Sequence, residues 1–422
     1  MRQILLITLF AILLSDIMLG LGLTLGPGLS LKNAMLYIVF FALMLEFTIG
    51  GSDPLRETWG LSSAWLLLVS YATFTWLVII LLGIHRGYGA FAGFIALKAQ
   101  LIDLFLFLLV YMYAPKDSLD SLKLLRWLIT ILVVVNVVTL MDVFNLPDFD
   151  IITDREDGRL TGPVNEVNQY GAILIFIIPI TAGLALSSTG WLKRLFVIGS
   201  LIAFVLLGLT VSRGSYLGLT VGGLFALYLV RHHVRREAVL KGLLLIAITL
   251  IAVAAAIAYQ NPEGFIAQFD FIGTSLDRAS SGRVDIWRQA LTMMSYWPYS
   301  FVFGYGWDAY ATLFLGYGDP HNTYLYYWFN LGIVGLGLYV FIVVWIVRFC
   351  VTSLDALSES LRPVIIGFIM GFLALHAALF FVALYASWLF IWAITGAALR
   401  LVAEDLTRGG HQPMVPEESG ER

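Results

Sequence analysis

Apolar runs of about twenty residues recur along almost the whole chain, the length a helix needs to cross ~30 Å of hydrocarbon. A polypeptide built this way cannot be solvated on all sides. Its composition agrees: of 422 residues, 60% are hydrophobic and 13% charged, with a mean hydropathy of +0.88, against roughly 25% charged residues in soluble domains. The runs predict an all-α polytopic membrane protein with about 12 transmembrane helices. They fall at approximately 4–25, 32–50, 61–83, 89–113, 124–146, 169–187, 193–212, 215–230, 242–259, 325–350, 363–384 and 387–403. One transmembrane domain over 1–403 is expected, followed by a polar cytoplasmic tail, 404–422, without fixed structure.

The first run has no small-x-small cleavage site after a short core and reads as a retained span. The lone cysteine, Cys350, excludes an internal disulfide and a paired-cysteine metal framework; near a span end it suits a small buried apolar side chain. A net charge of −3 says little about partners, and no nucleic-acid partner is expected. With the N-terminus inside, roughly twice as many Lys and Arg residues fall in the cytoplasmic connections as in the outer ones. Both termini are therefore expected in the cytoplasm.

Two outer connections are long. The first, about 147–168, is acidic: Asp148, Asp150, Asp154, Glu156 and Asp157 surround Arg155 and Arg159. The second, about 260–324, lies between the ninth and tenth spans; its length marks function and its Phe, Trp and Tyr content argues against disorder. Within it, Ser280 or Ser281 caps a helix over about 282–296, ended by Pro298. Ile286, Ala290, Met293 and Trp297 share one face with Arg288 opposite, so the helix lies on the membrane or packs on the bundle. Gly304, Gly306, Gly316 and Gly318 then make a turn-rich approach to His321.

His321-Asn322, nine residues and Gly332-x-x-Gly335 form the stretch richest in chemical meaning, and the glycine pair is expected to permit close helix packing in lipid. Most histidines in membrane proteins are hydrogen-bonded structural residues, but an imidazole titrating near about 6.5 in water suits a general base. The preceding loop brings Arg278, Arg283 and Arg288 to the same face. Arg213, in the outer turn Ser212-Arg213-Gly214-Ser215, either snorkels to lipid headgroups or binds phosphate through its planar fork. Arg288 stands i,i+3 from Asp285, which offers a surface pair. As anion ligands we rank Arg213 above Arg283, and Arg283 above Arg288.

The remaining polar residues have plainer readings. His85, His232, His233 and His411 lie in loops or the tail. His376, mid-span, is expected to hydrogen-bond between helices. Asp148 and Asp150 match a metal-binding pair weakly, and a solvated loop accounts for them. No phosphate-cradling loop, Ser/His/Asp set or paired-cysteine metal spacing occurs. Asp16, Glu46, Lys98 and Asp103 lie within spans; Lys98 and Asp103 suit an internal pair. They keep a secondary transporter in view, although no internal repeat supports one.

Four segments together resemble the O-antigen ligase and polymerase superfamily of bacterial envelope enzymes. They are Gly158-Arg159-Leu160-Thr161-Gly162-Pro163 through Asn165 and Asn168; Ser212-Arg213-Gly214; Gly282-Arg283 with Trp287 and Gly304-x-Gly306; and His321-Asn322-x9-Gly332-x-x-Gly335. The resemblance implies an inverting, metal-independent glycosyltransferase without cofactor, in the bacterial inner membrane with its site facing the periplasm. Its donor would be a glycan on undecaprenyl pyrophosphate, its acceptor a sugar hydroxyl of lipid A-core or another glycan. By motif position Arg213 and Arg283 correspond to pyrophosphate ligands and His321 to the base, with Arg288, Arg159 and Asn322 as further substrate contacts. A polymerase joining lipid-linked repeats differs only in the acceptor, and the sequence leaves both open, with a protein-glycosylating relative as a third possibility. The chemistry is consistent: a sugar pyrophosphate carries its own leaving group, and guanidinium donors stabilise the charge that develops, each commonly worth ~2.7–4 kcal/mol.

Overall fold

A computed structural model of the chain describes residues 2–19, 23–26, 28–50, 58–83, 89–115, 118–144, 146, 155–156, 159–234, 237, 251, 255, 282–313, 319–384 and 388–407. The apolar runs fold as helices α1 (Arg2–Leu19), α2 (Leu31–Gly50), α3 (Trp59–Leu82), α4 (Ala90–Tyr113), α5 (Ser118–Val143), α6 (Val167–Leu186), α7 (Gly190–Thr210) and α8 (Arg213–Val230). Among the described residues, three short helices come next, α9 (Arg283–Tyr296), α10 (Ser300–Phe303) and α11 (Ala309–Leu313). Then come α12 (Thr323–Ser353), α13 (Arg362–Ala378) and α14 (Trp388–Thr407). Among the described residues, α2 to α8 and α12 are the eight helices long and apolar enough to cross a membrane, and α13 is a shorter apolar helix. The expected ninth span, 242–259, lies outside the continuous described segments, as do Ser280, Ser281, Arg278, the Asp148–Asp150 pair and the tail beyond Thr407.

Helix α6 is the centre of the bundle, buried on nearly every face. Helix α13 crosses α6 and α8 at backbone-contact distance because small residues line its path. An added Cβ at Gly367 or Gly371 would lie 2.2 Å from the carbonyl oxygens of Pro179 and Phe176. On α8, Gly218 and Gly222 face Ala378 and Ala374 in the same way. In lipid, such small-xxx-small spacing replaces the hydrophobic effect as the means of close association.

The chain departs from the expected boundaries at two places that matter. Helix α5 begins at Ser118, six residues before the hydropathy places it, because Leu122, Leu124 and Leu125 pack inward despite Asp120, Lys123 and Arg126. Helix α13 stops at Ala378 instead of running to 384; residues 379–384 unwind, and the carbonyls of Leu379 and Val382 accept bonds from the Thr323 backbone N–H (2.9 Å) and hydroxyl (3.1 Å). Among the described residues, two small hairpins, Thr24–Gly26 with Leu29–Ser30 and Arg155–Glu156 with Arg159–Leu160, interrupt the helices.

Helix α9 takes its N-cap from Gly282 in a left-handed conformation (φ 80°), not from a serine. It packs through Ile286, Ala290 and Met294, so Met294 takes the place expected of Met293, while Trp297 stays exposed beyond the helix end. His376 also differs from expectation. Its Nδ1 bonds the Phe372 carbonyl of its own helix (2.8 Å), and the link to α12 runs through its backbone carbonyl, which accepts the Tyr324 hydroxyl (2.8 Å).

Helix α12 is two helices joined at Gly332, whose backbone (φ 64°, ψ −170°) lies in a region open essentially to glycine alone. The break turns the carbonyls of Phe329 and Asn330 outward, where they accept the N–H groups of Tyr305 (2.9 Å) and Gly306 (2.8 Å). The Asn330 side chain accepts the N–H of Tyr310 (2.9 Å). Thus Gly332 and the Gly304-x-Gly306 pair are two halves of one joint: the spacing after His321 serves a helix break, not helix-on-helix packing.

Candidate functional site

The site is assembled from five chain segments at one end of the bundle. The turn between α7 and α8 is held by Val211, a β-branched residue at φ 49°, a conformation that ordinarily costs ~1–3 kcal/mol and needs support from its surroundings. Arg159 supplies it: Nε donates to the Thr210 carbonyl (3.2 Å) and Nη2 to that of Val211 (3.4 Å). Ser212, fully buried, bonds Asn168 (3.1 Å) and Ser215 (2.9 Å), fixing the start of α8 to the start of α6. The exposed Arg213 therefore projects from a rigid helix start. Gly214 lies against Phe381 of the unwound 379–384 segment.

Arg283, first residue of α9, is partly buried, whereas Arg213 is exposed. Burial lowers its pKa; the Glu166 carboxylate opposes this, Arg213 and Arg159 add to it, and Asp319 opposes it. All four charges therefore lie within electrostatic reach of Arg283. Glu166 is itself anchored, capping α6 by accepting the N–H groups of Asn168 (3.1 Å) and Gln169. Arg288 is elsewhere: exposed, it pairs with exposed Asp285, and such pairs add little.

His321 also adopts a left-handed backbone (φ 47°). Asp319 accepts its backbone N–H, and Asp319 Oδ1 stands 3.3 Å from His321 Nδ1. The imidazole is half exposed while Asp319 is buried, so the carboxylate stands beside one ring nitrogen and leaves the other edge outward. Asn322, buried, caps α12 by accepting the Leu325 N–H (3.0 Å). Trp287 of α9 donates to the Pro320 carbonyl (2.9 Å), and its ring stands 6.4 Å from that of Phe381. One aromatic pair thus ties the arginine helix, the histidine turn and the Arg213 turn together.

Behind the site, Asp308, at φ 60°, accepts the hydroxyl of Tyr326 (3.1 Å), which also reaches Gln100 (3.1 Å). Burial raises the Asp308 pKa from 3.8 to about 6, against the opposing Tyr326 bond. The cluster joins His321, Arg213 and Arg283, with Arg159 behind the Arg213 turn and Asn322 behind the His321 turn. Sequence reasoning missed Asp319 and Glu166; the signals were Asp319-Pro320 directly before the histidine and a capping Glu166 ahead of an apolar run. Among the described residues, no three His, Cys, Asp or Glu side chains gather as metal ligands.

The arrangement is that of a polytopic helical membrane protein with guanidinium and carboxylate groups gathered beside a half-exposed imidazole. Residues 198–340, which contain Arg213, Arg283, His321 and Gly332, match a family model described as O-antigen ligase. That match supports the O-antigen ligase and polymerase superfamily for this chain. No curated protein matches it.

Proposed function

We propose that this protein is an inverting, metal-independent glycosyltransferase of the bacterial inner membrane. It moves a glycan from undecaprenyl pyrophosphate to a sugar hydroxyl of lipid A-core at the periplasmic face. The observation that carries the reading is that Arg213, Arg159, Glu166 and Asp319 all lie within electrostatic reach of the half-buried Arg283, with Asp319 also beside the His321 ring.

In this reaction Arg213 and Arg283 bind the diphosphate and offset the charge that grows as the anomeric C–O bond breaks. The α8 N-terminus adds backbone N–H groups of the same polarity. His321, its Nδ1 held by Asp319, accepts the acceptor proton at Nε2 as the hydroxyl oxygen bonds the anomeric carbon from the opposite side. The lipid pyrophosphate leaves. Arg159 and Asn322 act through the turns they hold, and Arg288 stands outside the cluster.

The test supplies one lipid-linked glycan with either lipid A-core or a second lipid-linked repeat. Transfer to core, lost in a folded His321→Ala variant, supports the reading. Transfer to the repeat alone makes the protein a polymerase, and full activity of His321→Ala removes the base.

A further inference from the structure

A cavity of about 360 Å³ opens at the same end of the bundle, beneath the 24–30 hairpin, away from the arginine cluster. It is within the range that takes a small ligand, roughly 300–1,000 Å³. Its polar lining includes Asp16, Lys32, Asn33, Lys98, Gln100 and Asp103, with the hydroxyl residues Thr24 and Ser30. The charges are paired: Lys32 with Asp16, and Lys98 with Asp103 (2.7 Å), which also accepts Asn33 and the Tyr37 hydroxyl (2.7 Å). Four ionised groups at membrane depth are costly and usually serve function.

Two features separate this cluster from simple helix glue. The side chains of Asp16, Lys32 and Lys98 keep 14–16% exposure around open space, where a packing pair would be closed over. Residues 98–102 form a π-turn inside α4, placing Lys98, Ala99 and Gln100 on the cavity wall; such turns recur at functional sites. The charge balance then selects the ligand. An anion would have to draw a lysine from its carboxylate, and a cation the reverse, each leaving an uncompensated charge. An uncharged, hydroxyl-rich molecule separates neither pair, since an ammonium has three donors and a carboxylate several acceptor positions. Gln100 links the cavity to the proposed reaction centre, because its Oε1 accepts the hydroxyl of Tyr326, one turn beyond Asn322 on α12.

We propose that this cavity binds an uncharged saccharide unit; resting on the glycosyl-transfer reading above, that unit belongs to the acceptor glycan. The test uses the full-length protein in nanodiscs and a panel of neutral tri- and tetrasaccharides of hexoses, deoxyhexoses and N-acetylhexosamines, each carrying a diazirine. Saturable crosslinking is expected to residues 23–33 and 95–103. It should fall at least tenfold in Ala99→Phe and in Gly26→Leu, both of which line the cavity without joining an ion pair. No saturable crosslinking in the wild type, undiminished labelling in both variants, or capture of a diazirine-bearing phosphatidylethanolamine in place of the sugars overturns the proposal. In transfer assays the same variants should raise the acceptor KM about tenfold with kcat little changed. Unchanged KM in both removes the acceptor assignment while the transfer reading stands. A wild type that transfers nothing removes that reading, and the crosslinking result then judges the cavity alone.

Discussion

Replacing Gly332 by alanine should unseat the joint on which the site rests, and the size of the effect follows from two geometric facts. The backbone there sits at φ 64°, ψ −170°, where a side chain costs ~1–3 kcal/mol. A Cβ would also lie 2.1 Å from the Val302 carbonyl oxygen, so the 302–306 segment must retreat from α12. That retreat strains the Tyr305–Phe329 and Gly306–Asn330 bonds, each worth ~0.5–1.5 kcal/mol net. The expected destabilisation is roughly 2–6 kcal/mol. Gly337 provides the control. It lies five residues further along the same helix and a Cβ there meets nothing within 4 Å, so Gly337→Ala should be neutral or gain up to ~1 kcal/mol of helix propensity. Heat denaturation in nanodiscs, followed by tryptophan fluorescence, compares the two. A Gly332→Ala midpoint equal to wild type would show that the break is not needed for the fold.

The transfer rate should fall ~10²–10³-fold in Arg213→Ala or Arg283→Ala and change little in Arg288→Ala, with donor binding weakened in the same order; the reverse order in a lipid-pyrophosphate binding assay refutes the site geometry. Because burial raises the Asp308 pKa to about 6, its contribution to stability is present below about pH 4 and lost as pH rises through 6. A shift of about two units corresponds to ~3 kcal/mol. Asp308→Asn, which tolerates the same left-handed backbone, should abolish that slope and be more stable than wild type at pH 8; parallel melting curves against pH contradict this. Excess EDTA should leave transfer unchanged, and strong inhibition would return Asp148 and Asp150 to consideration as metal ligands.

Hydropathy reported where lipid lies, and so found α2, α3, α4 and α6 to α8 to within a few residues. It could not find helix ends whose cause is packing. The charges at Asp120, Lys123 and Arg126 hid the first turns of α5, while the apolar character of Leu379–Leu384 hid an unwound turn that serves Thr323. The same blindness applied to Ser280 and Ser281, better capping residues by type than Gly282, and to Met294, which only a three-dimensional face reveals. At the site, residue chemistry marked Arg213, Arg283 and His321. The carboxylates that position them were not legible, because Asp319 and Glu166 act through neighbours brought close only by folding. Gly332 was noticed for its spacing, but a helix break and a packing contact leave the same glycine in the sequence.

A membrane helix interrupted at Gly332 does not behave as a continuous rod. Its lower segment, 333–353, can follow changes in bilayer thickness by tilting. The upper segment is tethered to residues 305–310 and to Leu379 and Val382. Tilt below the joint is then taken up as rotation about one glycine, and the imidazole one residue ahead of Asn322 keeps its aim while the surrounding lipid changes.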